Sequence, residues 1–220
     1  MARVLFDLDG TLVDSAPTIV AAANALLREM GRRLLPHATV VGFVGQGIDR
    51  LVDRTLLASG GLPPEGPEQA RARYRVIYGA DPLAGTAAYP GVHAALDRLS
   101  VAGHGLAVCT QKPVAPARAL LEGLGMMPPI TGLTGGDSLA ALKPDPRLVE
   151  HAAAQLAPGP VVFVGDSETD AATAANAGVP FLLHLNGYRH RPLAEIPSAG
   201  AFEDWAELPS LVERILAEAA

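Results

Sequence analysis

Two aspartates separated by one leucine, in Phe6-Asp7-Leu8-Asp9-Gly10-Thr11-Leu12, are the residues of this 220-residue chain best placed to do chemistry. Like charges this close repel, and one carboxylate tends to keep its proton. The pair becomes tolerable when a cation neutralises one member, or when the two divide a nucleophile's and an acid/base role. Asp7 is read as the nucleophile and Asp9 as its acid/base partner. Gly10 beside them allows a tight or unusual turn.

Other polar residues follow apolar runs further along the chain. Asp7 together with Asp166 offers hard oxygen ligands suited to Mg²⁺. Asp170 lies four residues after Asp166, so on a helical turn both carboxylates face the same way. Asp170 would then ligate the metal, directly or through water, or orient Lys143. Lys143 is a compact cation able to offset crowded carboxylates and an incoming phosphate. Thr110 offers a hydroxyl, and Gln111 and its successors offer backbone amides at a helix start, an anion site. Ser167 and Glu168 are expected to cap the turn after Asp166, with Ser167 backing the site from behind.

These residues need elements to hold them. Arg3 to Phe6 is a short continuous apolar run, the pattern of a strand buried on both faces. Gly105 to Cys109, Ile130 to Leu133, Val161 to Val164 and Phe181 to His184 read as further strands. Helices are expected at Pro113–Leu124, Pro144–Leu156, Glu168–Ala177 and Leu208–Ala217, and another opens at Pro90-Gly91. Strand and helix alternate from Leu106 to His184, which predicts βαβ units and a parallel sheet. Between Asp14 and Thr86 the periodicity is helical only, over Ser15–Met30, Ile48–Ala58 and Glu68–Tyr78. The fold class is therefore α/β: a Rossmann-like parallel-sheet core, residues 1–14 and 87–220, with an inserted helical domain, residues 15–86. Ligands of open α/β sheets bind beyond the carboxyl ends of the strands, where Asp7, Thr110 and Asp166 fall.

Composition narrows the function. The net charge of -6 argues against a sequence-independent grip on nucleic acid. The single cysteine, Cys109, permits no intrachain disulfide and fits a reducing compartment. Neither a signal peptide nor a bilayer-spanning stretch is legible, so a cytoplasmic protein without a membrane partner is expected, as a monomer or homodimer. The six histidines show no metal-ligand spacing. Arg189-His190-Arg191 reads as a solvated loop.

Asp7-Leu8-Asp9-Gly10-Thr11, Thr110-Gln111-Lys112, Lys143-Pro144 and Gly165-Asp166-Ser167-Glu168-Thr169-Asp170 together resemble the four motifs of the haloacid dehalogenase-like phosphatases, in that family's order. The resemblance implies a mechanism. Asp7 attacks phosphorus and forms an aspartyl-phosphate. Asp9 protonates the leaving alcohol and then helps deprotonate water. Mg²⁺ is held by Asp7, the backbone carbonyl of Asp9 and Asp166, while Thr110 and Lys143 bind phosphoryl oxygens. It also implies that the inserted segment is a cap that selects the substrate, hinged near Asp14 and Thr86.

Within the family, Val44-Gly45-Gln46-Gly47 with Leu51-Val52-Asp53-Arg54, Tyr89-Pro90-Gly91-Val92 and Ala107 to Pro113 resemble the branch acting on 2-phosphoglycolate. Gln111 departs from the asparagine usual there. A substrate with a phosphate at one end and a carboxylate at the other needs a second anion reader. Gly45-Gln46-Gly47 before a helix, with Arg50 one turn later, is the candidate. The alternatives are a sugar-phosphate phosphatase or phosphomutase of the same family, and a non-catalytic phosphate-binding regulator.

Overall fold

The strand that carries Asp7, β1 (Arg3–Phe6), lies in the middle of a six-stranded sheet. The computed structural model describes residues 1–218. The chain divides into two compact units, Met1–Asp14 with the chain from Ala88 onward, and Ser15–Ala87. In the first unit β1 pairs in parallel with β4 (Gly105–Cys109) on one side and β6 (Val161–Gly165) on the other. Beyond them lie β5 (Gly132–Thr134), β7 (Phe181–His184) and β8 (Gly200–Phe202), in the order β5-β4-β1-β6-β7-β8. The expected α/β parallel sheet is met.

The strands read as unbroken apolar runs because both faces of the sheet are covered. Val4 and Phe6, Leu106 and Val108, and Val162 and Val164 point into one buried cluster. The residues between them, Leu5, Ala107, Cys109 and Phe163, point into the other. The first cluster includes residues of α5 (Val92–Val101), α6 (Val114–Gly123) and α9 (Leu208–Glu218), with Trp205 packed among them. The second includes residues of α7 (Arg147–Ala153) and α8 (Glu168–Ala177). Each large side chain so enclosed contributes roughly 1.5–3 kcal/mol relative to exposure.

Several expectations shift in detail. The helix expected from Pro144 begins only at Arg147. Pro146 disfavours the helical region for Asp145, whose carboxylate instead accepts the Arg147 N–H at 3.0 Å. The strand expected at Ile130–Leu133 begins at Gly132. There a Cβ would stand 2.8 Å from that of Ala107, so the glycine lets β5 close on β4. The edge strand β8 was not expected; of its three residues only Phe202 is buried, which leaves no periodic signal. The same holds for β2 (Val13–Asp14) and β3 (Ala87–Ala88), a separate two-stranded ribbon too short to show a period.

The second unit is helical: α1 (Ala16–Glu29), α2 (His37–Val41), α3 (Ile48–Ser59) and α4 (Glu68–Ala80). Leu26, Leu27, Val52, Leu56 and Tyr74 are buried in it, and Tyr74 stacks on Tyr78 at 6.0 Å. Arg71 grips Asp53 with two bonds, at 2.9 and 2.6 Å, and Arg73 grips Glu29 with two of 2.7 Å. Water screens ion pairs near the surface, so packing decides this unit's stability.

Candidate active site

The register brings the polar strand ends together. Phe6 stands opposite Val108 and Val164, so the next residues of the three strands, Asp7, Cys109 and Gly165, emerge at one level. The Asp7 N–H donates to the Val164 carbonyl at 2.9 Å. Thr110 follows Cys109, and Asp166 follows Gly165. The chain leaves β1 for β4 on one side and returns to β6 on the other, the crevice geometry in which open α/β sheets bind ligands.

Asp7, Asp166 and Asp170 present carboxylate oxygens that all lie within 4.8 Å of one another. Lys143 enters between two of them, with its ammonium 3.1 Å from Asp7 and 2.6 Å from Asp170. Asp170 is heavily committed. Its Oδ1 takes the lysine, while its Oδ2 accepts from the Asp166 and Ser167 N–H groups at 3.3 and 3.2 Å and from the Ser167 hydroxyl at 2.6 Å. Ser167 caps α8 as expected, but its capping partner is Asp170. Glu168, expected to share the cap, instead binds the backbone N–H of His190 at 3.2 Å and its ring at 3.1 Å. The basic loop is therefore tied down at His190.

Three carboxylates against one lysine leave an excess of negative charge in a buried place. Burial pushes the Asp7 carboxyl up to about 6; Lys143 opposes this, and Asp170 adds to it. Burial, then Asp170 and Asp7, hold Asp166 well above the usual carboxylate range. Asp7 Oδ1 is buried with no hydrogen-bond donor; its contact is the Lys143 ion pair. An all-oxygen donor set with surplus negative charge fits a hard divalent cation, which would remove the repulsion that raises these groups.

Asp166 is fixed from three sides. Its Oδ1 accepts from the Thr11 hydroxyl at 2.8 Å, and its Oδ2 from the Tyr188 N–H at 2.7 Å. Gly10 and Gly187 press directly on it: a Cβ would lie 2.5 Å from Oδ2 at Gly10 and 2.2 Å from the Asp166 Cβ at Gly187. Gly187→Ala is therefore expected to displace the Asp166 carboxylate. Divalent-metal affinity, measured by calorimetry, should fall about 10- to 100-fold, the range for disturbed supports of metal ligands. Neither Thr11, Gly187 nor Tyr188 was singled out in the sequence as a site residue. Thr11 lies inside the first motif; the other two stand 21 and 22 residues beyond Asp166, with no periodic or motif signal.

Asp9 does not point its carboxylate at an open space. Lys112 donates to both its oxygens, at 2.8 and 3.0 Å. Lys112, quoted only as part of a motif, was missed as a partner of Asp9. Thr110 is buried, and its hydroxyl accepts the Lys112 N–H at 3.2 Å. Gln111 is half-buried. The helix start expected to offer free amides is partly taken, because the Val114 N–H donates to Asp137 at 2.7 Å. The loop after β5 thus supplies the cap itself.

His184, at the end of β7, supports the Gly10 turn from below. Its Nδ1 lies 3.0 Å from the Gly10 carbonyl, so Nδ1 carries the proton. Nε2 is buried without a partner, among the rings of Tyr89, Phe202 and Trp205. Burial lowers its pKa. At this imidazole the folded state thus binds fewer protons than the unfolded chain. The stability it contributes is complete above the unfolded value of about 6.5 and is lost as pH falls through it. Asp7 and Asp166 work in the opposite sense over the same range, so the His184 contribution is read as a difference: from pH 7.5 to 5.5 the melting temperature of His184→Gln should gain on that of wild type, a comparison thermal denaturation makes directly.

The remaining candidates, Gly45, Gln46, Gly47 and Arg50, belong to the helical unit. Gly45 and Gly47 take φ of +102° and +84°, a left-handed backbone that suits glycine. They lead into α3, on which Arg50 is exposed.

A family model described as haloacid dehalogenase-like hydrolase matches residues 1–178. A phosphoglycolate phosphatase of Cereibacter sphaeroides (strain ATCC 17025) is 45% identical over 219 residues, 99% of this chain and 100% of that protein. One from Rhodobacter capsulatus is 42% identical over 212 residues, 96% of each. A crystal structure described as a predicted phosphoglycolate phosphatase from Haemophilus somnus 129pt matches with a TM-score of 0.89 at 28% identity, over 96% of this chain and 97% of that one. This chain belongs to the haloacid dehalogenase-like hydrolases.

Proposed function

We propose that this protein is a Mg²⁺-dependent phosphatase that hydrolyses 2-phosphoglycolate to glycolate and phosphate through an aspartyl-phosphate on Asp7. The observation that carries the reading is the convergence of Asp7, Asp9, Lys143 and Asp166 at the ends of neighbouring parallel strands or in the loops beyond them. The names of the full-length relatives support the substrate.

Each side chain takes a role from its surroundings. Asp7 is the nucleophile: it is held on the central strand and kept near one cation, Lys143. Asp9, on the same turn and outside the carboxylate cluster, carries the proton to the leaving alkoxide and later takes one from water. Lys143, Thr110 and the Gln111 backbone bind the phosphoryl oxygens. Asp7, Asp166 and the Asp9 carbonyl would hold Mg²⁺, which supplies charge stabilisation for the phosphoryl oxygens. Asp170, with its oxygens taken by Lys143 and the start of α8, orients the lysine. Ser167 orients Asp170.

Residues 15–86 act as the cap, with Gly45, Gln46, Gly47 and Arg50 reading the substrate's carboxylate. The partner is thus a small phosphorylated metabolite, met in the cytoplasm. Phosphate release with Mg²⁺ present tests this on 2-phosphoglycolate and a panel of sugar phosphates. The reading expects kcat/KM at least about 100-fold higher for 2-phosphoglycolate, the selectivity a dedicated polar contact can supply. Equal or better turnover of a sugar phosphate overturns the substrate, and no turnover of any ester overturns the activity.

A further inference from the structure

Lys112 has no part in the roles above, yet it is the most enclosed cation at the site after Lys143. Its side chain is 5% exposed, and its ammonium chelates both oxygens of Asp9. Its N–H donates to the Thr110 hydroxyl, and its carbonyl accepts from Gly136 at 3.0 Å. One residue is thus tied at its backbone to the phosphate-seat hydroxyl and at its head to the acid/base carboxylate. The loop after β5 clamps this arrangement. A Cβ on Gly135 would lie 2.7 Å from the Lys112 carbonyl oxygen, and one on Gly136 2.3 Å from that of Gln111.

An Asp9 held by both oxygens cannot turn one toward a leaving group until the chelate opens. A phosphate arriving beside Asp9 also meets like charge unless a cation comes between them. Lys143 is already shared by Asp7 and Asp170. A lysine ammonium has three rotatable donors on a flexible stem and can move between two anions.

We propose that Lys112 is an exchange cation, an inference that rests on the phosphatase reading. It holds Asp9 before substrate arrives, passes to the phosphate when substrate binds, and thereby frees the Asp9 carboxylate to face the leaving oxygen. Lys112 is then both a ligand of the substrate's phosphate and the positioning residue of Asp9.

The test uses orthophosphate and Mg²⁺ on the full chain. In a crystal structure of the wild-type complex, the Lys112 ammonium should lie about 3 Å from a phosphate oxygen and have left at least one Asp9 oxygen. An ammonium still chelating Asp9 and out of reach of phosphate overturns the proposal. By calorimetry, Lys112→Met should weaken orthophosphate binding at least about 10-fold and Lys112→Arg much less. An unchanged affinity in Lys112→Met overturns it equally. The wild-type arm does not depend on whether either variant folds. Neither arm needs turnover, so failure of the exchange and failure of the phosphatase reading are separate results.

Discussion

Replacing Asp7 by asparagine is expected to lower kcat for phosphate release by about 10⁴-fold or more, as loss of a nucleophile does. The chain should fold as before. The amide has the same shape as the carboxylate, and the Asp7 N–H bond to Val164 does not involve the side chain. Lys143 keeps Asp170 at 2.6 Å. One of three mutually repelling carboxylates is gone, so the melting temperature in chelator should hold or rise. Retention of more than about one part in a hundred of wild-type kcat would remove Asp7 from the nucleophile's role.

Replacing Lys143 by methionine should cost both activity and stability. The side chain is 1% exposed, and its ammonium also lies 5.0 Å from the centre of the Phe163 ring. Burial alone would lower its pKa, but Asp170 and Asp7 outweigh burial and hold it above the ordinary lysine range. The two carboxylates it touches thus favour the charged ammonium. Removing one partner of a buried ion pair costs about 3–5 kcal/mol, and here Asp7 and Asp170 both lose the ammonium they share.

The expected pH response is distinctive. Carboxyls whose folded pKa is raised bind protons more readily in the folded state, so stability rises as pH falls through their folded values. Asp7 already sits at about 6 with the lysine present. The Lys143→Met variant in chelator should therefore melt well below wild type at pH 7.5 and recover part of the difference toward pH 5. Saturating divalent metal at pH 7.5 should restore part of it as well. Turnover should stay at least about 10³-fold down throughout, because the phosphate loses a charge-stabilising donor. A melting temperature that ignores both pH and metal would mean that the lysine does not balance the carboxylates.

What the sequence discloses here follows from what kind of signal each feature leaves. The apolar runs of β1, β4 and β6 are legible because a strand covered on both faces must be apolar throughout. Their polar ends are legible because a carboxylate after such a run is costly without a purpose. Asp7, Asp166, Asp170 and Lys143 are thus legible as one group in the sequence, and in the structure they lie within a few ångströms of one another.

The supports leave weaker traces. Gly187 and Tyr188 touch Asp166 only because β7 runs beside β6, a fact of topology that no local pattern carries. Gly135 and Gly136 act by lacking side chains against the 111–112 loop, and an absence has no periodicity. The Lys112 link to Asp9 spans 103 positions, and a single lysine after a threonine predicts nothing by itself.

The placement of β1 decides how this protein wears out. Opening a protein locally exposes backbone amides at a free-energy cost that ranges from near zero at frayed ends to the full stability in the innermost strands. β1 is hydrogen-bonded along both edges and buried on both faces. The amide of Asp7, bound to Val164, should therefore be among the last to exchange with deuterium. Asp7, the proposed nucleophile, directly follows an element expected to open only when the whole first unit opens. Gentle heating or mild denaturant should leave Asp7 in place until that unit melts, and activity lost before then has to be lost through parts less firmly anchored than Asp7.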